Sequence, residues 1–332
     1  MKKILNDPNA YVDEMLDGLC LAHPELRLTG DDGRVIVRSR GAVAGKVGIV
    51  TGGGSGHLPV FLGYIGEGLL DSCAVGNVFA GPRMSDCIEA MRAADGGAGV
   101  LQLYGNYGGD RMNFDMATEM LELEGMRVAS VRVADDVASA PADQRAKRRG
   151  VAGLVLVYKA AGAKAASGAS LDDVAALARK ASDACRSIGV ALTPCVVPES
   201  GKASFEIGEN EVEFGMGIHG EPGIWRGALK TADALAGEML EHVLPELALA
   251  RGDRVAVLVN SLGATPAEEL YILYRRVAQV LGERGIEILR PLVGRYATSM
   301  EMAGASLSVM KLDDELEALL AAPAECPFWS VR

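Results

Sequence analysis

A chain of 332 residues with nearly half its residues apolar exceeds one ordinary domain, and two domains are expected. The net charge of -11 speaks against a nucleic-acid partner, because phosphate binding relies on an excess of lysine and arginine. Aromatics are only 5% and glycines number 41, so the core is built of Ala, Val and Leu and the turns are tight.

In chain order, "MKKILNDPNAYVDEML" carries two lysines and no apolar stretch behind them, unlike a secretory leader. No apolar run approaches the ~18 residues of a membrane span. None of the six cysteines forms a CxxC pair, and only Cys20 lies near a histidine, His23, so a metal site or disulfide framework is not expected. A cytoplasmic protein with reduced thiols and no membrane association follows.

"KVGIV" reads as a strand ending in a glycine cluster, "GVLQLY" as one ending in "GNYGGD", and "MRVASVRV" as one ending in "ADDV". "GLVLVYKAAGAKAA" reads as a strand entering a helix. The next helix, "SLDDVAALARKASDACRSIG", takes Ser170 as N-cap, has Asp172 and Asp173 in its first turn, and stops at Gly189. Continuous Val/Ile/Leu strands belong in a sheet covered on both faces. Residues 1–189 therefore read as an α/β domain with a largely parallel sheet flanked by helices.

Beyond that, "GVALTPCVVP", "ASFEIGENEVEFGMGIHG" and "RVAVLVNSLGAT" are strand-rich, with hairpin-like glycines and asparagines. Two helices lie among them: "ALKTADALAGEMLEHVL" and "TPAEELYILYRRVAQVLGERG". In the second, Thr265 as N-cap, Pro266 at N1 and Glu268 at N3 form a capping box. Residues 190–332 read as a second α/β domain with a mixed sheet and helices.

Three places carry chemistry. "IVTGGGSGHLPVF" runs a strand into Gly54, Ser55 and Gly56, then His57. It fits neither a phosphate loop, which needs a lysine, nor a dinucleotide fingerprint. A bare glycine turn is the plain alternative, but ligands in open α/β sheets gather at strand carboxyl ends. "GVLQLYGNYGGDRMNF" places Asp110 in a similar loop, where it either caps the following helix or orients a histidine. "FGMGIHGEPGIW" holds His219 between glycines on an irregular loop, with Glu221 placed to orient it or to cap a turn. His23 and His242 sit in helical patterns beside charged residues and read as ordinary surface or boundary positions. Two histidines and a carboxylate can supply a general base and a carbonyl-directed nucleophile. That chemistry alone suits a kinase, an aldolase or a binding protein.

The ordered motifs "GGGSGHLP", "GNVFAGP", "NYGGDRMNF", "RRGVAGLVLVYKAAGA", "FGMGIHGEPG", "VNSLGATPAEELYILYR" and "TSMEMAGASLSVMKLDDEL" run nearly end to end. In them the chain resembles the K (substrate-binding) subunits of the dihydroxyacetone kinase family. The resemblance implies that His219 captures a ketose carbonyl as a hemiaminal, that His57 is the general base and that Asp110 assists it. It also implies that backbone groups of Gly54, Ser55 and Gly56 hold the ketose. ATP or ADP with Mg²⁺ would sit on a separate L-type subunit, with no cofactor on this chain, and the chain would be a homodimer. Where the family carries lysine before "NY", this chain has Gly105; Asn77 and Gly81 stand for aspartate and serine. A lost lysine beside the ketose leaves space, so a four-carbon ketose such as erythrulose is weighed beside dihydroxyacetone. A ketose-binding regulator that transfers no phosphate is the alternative from another class.

Overall fold

The computed structural model describes residues 2–332. Its first sheet holds β1 (Leu26–Thr29), β2 (Val35–Arg38), β3 (Gly48–Ser55), β4 (Ser72–Val78), β5 (Val100–Gly105) and β6 (Val128–Val133) in the order β1-β2-β4-β3-β5-β6. Strands β3 to β6 run parallel, and β1 and β2 extend the edge antiparallel. The second sheet holds β7 (Cys185–Ala191), β8 (Glu211–Phe214), β9 (Trp225–Ala228), β10 (Arg254–Ser261), β11 (Glu287–Gly294) and β12 (Gly304–Leu312), ordered β11-β10-β12-β7-β8-β9. It is mixed: β10 and β11 are parallel and the other pairs antiparallel. The α/β class with a largely parallel first sheet and a mixed second sheet is as expected.

Eight helices layer around the sheets: α1 (Tyr11–Ala22), α2 (Met84–Ala94), α3 (Gly108–Leu123), α4 (Leu154–Ala166), α5 (Leu171–Asp183), α6 (Ala232–Val243), α7 (Ala267–Glu283) and α8 (Asp314–Ala321). Strand alternation assigns each face. On β3, Val50 packs with Met91 and Phe114 of α2 and α3, while Ile49 faces the cluster that holds α4 and α5. On β10, Ala256 and Leu258 join that same central cluster, whereas Val255, Val257 and Val259 pack with α6 and α7. The result is five layers, with α4, α5, α1 and α8 filling the space between the sheets. Residue 189, expected at a domain boundary, lies inside β7, and the C-terminal β13 (Ala324–Cys326) and β14 (Trp329–Val331) return to the first half through Glu67 and Tyr64.

Several local expectations are corrected. Residues 154–166 are wholly helical, not strand then helix. Eleven of that helix's residues are buried on every side, so the sequence shows no apolar stripe from which to read a helical period. Ser170 caps α5 as expected, its hydroxyl accepting from Asp173 N–H, but the helix stops at Asp183 and Gly189 sits mid-strand opposite Ser306. The capping box at α7 does not form. Pro266 occupies the N-cap position, and the Thr265 hydroxyl accepts from Gly304 N–H at 2.7 Å instead, anchoring the start of β12. Much of 192–210, read as strand, lies outside the named strands.

Candidate active site

His57, Asp110 and the loop between them come from one edge of the first sheet. β3 ends into Gly56 and His57, β4 into Phe79–Gly81, and β5 into the turn that opens α3. Asp110 lies inside the first turn of α3, whose N-cap is Tyr107, so it is not the cap considered above. The second sheet supplies the opposite wall: His219 and Glu221 from the β8–β9 connection, and Thr298 and Met300 from the segment before β12.

The glycine run serves close approach. A Cβ at Gly54 would stand 2.7 Å from Ala80 N, and Gly56 adopts φ +101°, out of easy reach of other residues. Gly56 O accepts from Met300 N–H at 2.7 Å, and the Ser55 hydroxyl donates to Gly76 O at 2.8 Å. Phe79 (φ 58°) and Met300 (φ 53°) are two of the three non-glycine residues with positive φ among the described residues, and both lie against this loop. Such strain persists only where surrounding contacts over-determine it.

His57 is fully buried. Its Nδ1–H donates to Thr298 O at 2.7 Å, which leaves Nε2 as the lone-pair nitrogen, with no hydrogen-bond partner among the described residues. Its ring stacks on Phe79 at 5.0 Å and meets the His219 ring edge-on at 4.8 Å. Burial, with His219 as neighbour, pushes its pKa down to about 3, so the ring is neutral.

His219 keeps 21% of its side chain exposed. Glu221 holds it twice: Oε2 accepts the His219 backbone N–H at 2.9 Å and Oε1 accepts Nδ1–H at 3.0 Å. The lone pair is thereby placed on Nε2. Burial would raise the Glu221 carboxyl, but the hydrogen bond from His219 and the Arg149 guanidinium 3.8 Å away bring it down to about 2. Asp136 in turn accepts from Arg149 Nε at 2.9 Å.

Asp110 is nearly buried and its Oδ1 has no partner among the described residues. Burial lifts its carboxyl to about 6, opposed by its own backbone amide and by His219. A Cβ at Gly81 would lie 3.3 Å from that buried Oδ1, so glycine here spares the oxygen a close contact. The room expected at Gly105 is absent. A Cβ there would meet Leu154 Cδ1 at 3.2 Å and Tyr107 Cε2 at 3.3 Å, because the Tyr107 ring fills that flank and packs edge-on to His219 at 4.8 Å.

The structure thus brings His57 and His219 together, with Asp110 beside them at the same sheet edge. Phe79, Tyr107, Arg149 and Thr298 were not singled out from sequence. All four fall inside the quoted motifs, but their roles arise from tertiary contacts that no spacing encodes.

Fold and site together define a two-sheet α/β protein with two adjacent imidazoles and a buried carboxyl lodged at the seam between the sheets. The Dak1 domain model matches residues 17–328, and the chain belongs to that family. It is 45% identical, over the whole of both chains, to PTS-dependent dihydroxyacetone kinase 2, dihydroxyacetone-binding subunit DhaK, of Listeria innocua. It is 43% identical to the D-erythrulose kinase of Mycolicibacterium smegmatis, covering 98% of this chain and 56% of that one. The crystal structure of the dihydroxyacetone kinase of C. freundii superposes with TM-score 0.89 at 33% identity, over 99% of this chain and 60% of that one.

Proposed function

We propose that the chain is the ketose-binding, catalytic subunit of a short-chain ketose kinase. The observation that carries this is the paired lone-pair geometry: Nε2 of His219, freed by the Glu221 contact to Nδ1, beside an unpartnered Nε2 on His57.

In the mechanism, His219 Nε2 adds to the ketose carbonyl carbon as the C=O π bond breaks. The former carbonyl oxygen takes up a proton and Nδ1 gives one up to solvent, with the Glu221 carboxylate holding that nitrogen in place. The product is a neutral hemiaminal. Only an electrophilic carbon can be captured, which selects ketones over polyols, and capture fixes the terminal hydroxyl for in-line attack. His57 Nε2 accepts that hydroxyl's proton as the new P–O bond forms, and the Asp110 carboxylate supports the positive charge developing nearby. An L-type partner would carry the nucleotide with Mg²⁺, ATP supplied as such or regenerated from bound ADP by a phosphotransferase-system protein, and would keep the ADP that leaves as the terminal phosphoryl group is transferred. The family likeness supports that division of labour, and relatives named for dihydroxyacetone and for erythrulose make three- and four-carbon ketoses the substrate class.

Carbon NMR with 2-¹³C-labelled dihydroxyacetone or erythrulose tests the capture. The carbonyl resonance is expected to move to the tetrahedral region with the wild-type chain and to stay in place with His219→Asn. An unmoved resonance with wild type overturns the hemiaminal. Adding the partner and its nucleotide then yields ketose phosphate. An adduct that never becomes ketose phosphate identifies a ketose-binding regulator instead.

A further inference from the structure

Helix α3 buries one face and leaves the other bare. Phe114, Ala117 and Leu121 are sealed against the first sheet, whereas Met112, Met116, Met120 and Leu123 are 58, 38, 45 and 90% exposed. Spacings of four, four and three place these side chains in one row along the helix. Ile4 and Phe328 line a separate groove with Met15 and Met300, whereas Val43, Leu229 and the adjacent Tyr271 and Ile272 stand singly or as a pair, which is ordinary for a surface. A continuous row is not, and marks a contact surface. Exposed Asp115, Glu119 and Glu122 flank it on one side, with exposed Arg111 at its start. The row begins two residues beyond Asp110.

Resting on the kinase-subunit reading, we propose that this α3 row is the docking ridge for the nucleotide-bearing partner, whose matching face is apolar at its centre and rimmed by lysine and arginine. The donor phosphoryl group has to reach a hydroxyl held beside His57 and Asp110, so the partner covers the mouth where α3 begins, and the ridge is continuous with that mouth. Methionine suits a face that is wet when free and buried when docked, because its flexible thioether adapts to either surrounding. The acidic flank selects the occupant. A second copy of this chain meeting ridge to ridge sets Asp115, Glu119 and Glu122 against their own counterparts, and an anionic lipid surface is repelled likewise.

The test uses the full chain with its purified cognate partner subunit, loaded with nucleotide and Mg²⁺. Met116→Gln/Met120→Gln and Leu123→Glu are expected to leave the ¹³C ketose adduct unchanged. They raise the partner concentration needed for half-maximal rate at least tenfold, with little change in the saturated rate. Glu119→Lys/Glu122→Lys slows partner association and weakens its salt dependence. Tyr271→Glu/Ile272→Glu on α7 behaves as wild type. Docking curves for the α3 variants that match wild type overturn the proposal. So does sedimentation in which the α3 variants dissociate a wild-type dimer, since the ridge then serves a second copy. A wild-type chain that forms no adduct counts against the ketose reading alone, because direct titration of the partner still reads the ridge.

Discussion

Asp110 and His57 share one edge of the site, yet burial drives them in opposite chemical directions: a carboxyl lifted to about 6 and an imidazole lowered to about 3. His57 is therefore neutral across the working range, and under the proposed mechanism the acid limb of kcat/KM is expected to follow Asp110, activity falling as pH drops through about 6. The stability consequence has the opposite sense. The folded-state pKa lies above the ~3.9 of an unfolded aspartate, so the folded chain binds the extra proton. Stability is fully present below about 4, is lost as pH rises through about 6, and stays lost above it. Asp110→Asn is expected to stabilise the chain by about 1–3 kcal/mol at pH 8, to gain nothing below pH ~4, and to lose about 10²–10⁴-fold in turnover. Urea midpoints at both pH values, read beside the rate profile, check this. A destabilised variant at pH 8 contradicts the assignment.

Among the elements, α4 is the one whose character the sequence concealed, and its packing explains why. It lies in the central layer with neighbours on every side, so a Leu/Val/Ala run with no polar face looks like strand and helix alike. Ser170 was legible because a cap acts locally. Thr265 was not, because a distant strand claims its hydroxyl. The end of α5 was misplaced since Ala184, not a glycine, follows it. The tight packing of α4 has a measurable signature at Gly162, where a Cβ would come within 2.4 Å of Gly68 O and 2.5 Å of Leu69 Cα. Gly162→Ala improves helix propensity by about 1 kcal/mol, but the backbone contact is expected to outweigh that and to destabilise by about 1–3 kcal/mol net. Gly237, on α6 with nothing within 4 Å of its would-be Cβ, is the matched control. There the same change stabilises by up to about 1 kcal/mol. Equal and positive effects at both positions in thermal unfolding contradict the packing account.

At the scale of the whole molecule, the two halves read from the sequence share one interior. A single apolar cluster runs from Ile49 and Leu101 through α4 and α5 to Leu258 and Met310. The β6–α4 connection ties the sheets along their edges as well. Ser187 N–H donates to Asp135 O at 2.8 Å, and Val137 N–H donates to Ser187 O at 2.9 Å. The three catalytic candidates were legible because glycines isolate them on loops, whereas the seam that brings them together was not, since every contact across it joins residues far apart in the chain. The same connection carries Arg149 to Glu221 and, next to it, Arg148, whose side chain is 1% exposed and forms a double hydrogen bond with Glu246 at 2.6 and 2.7 Å. Arg186 reaches Glu246 at 3.3 Å. Removing that carboxylate leaves a buried guanidinium with no countercharge, which costs about 3–5 kcal/mol. A shared core predicts that the loss falls on the whole chain, not on one half. Wild type and Glu246→Ala should both unfold in one calorimetric transition, the variant's lower by that amount, with ketose-adduct formation disappearing along the same curve. Two resolved transitions, or a Glu246→Ala chain that keeps its midpoint, would show that the halves fold separately and that the seam is a contact between finished domains.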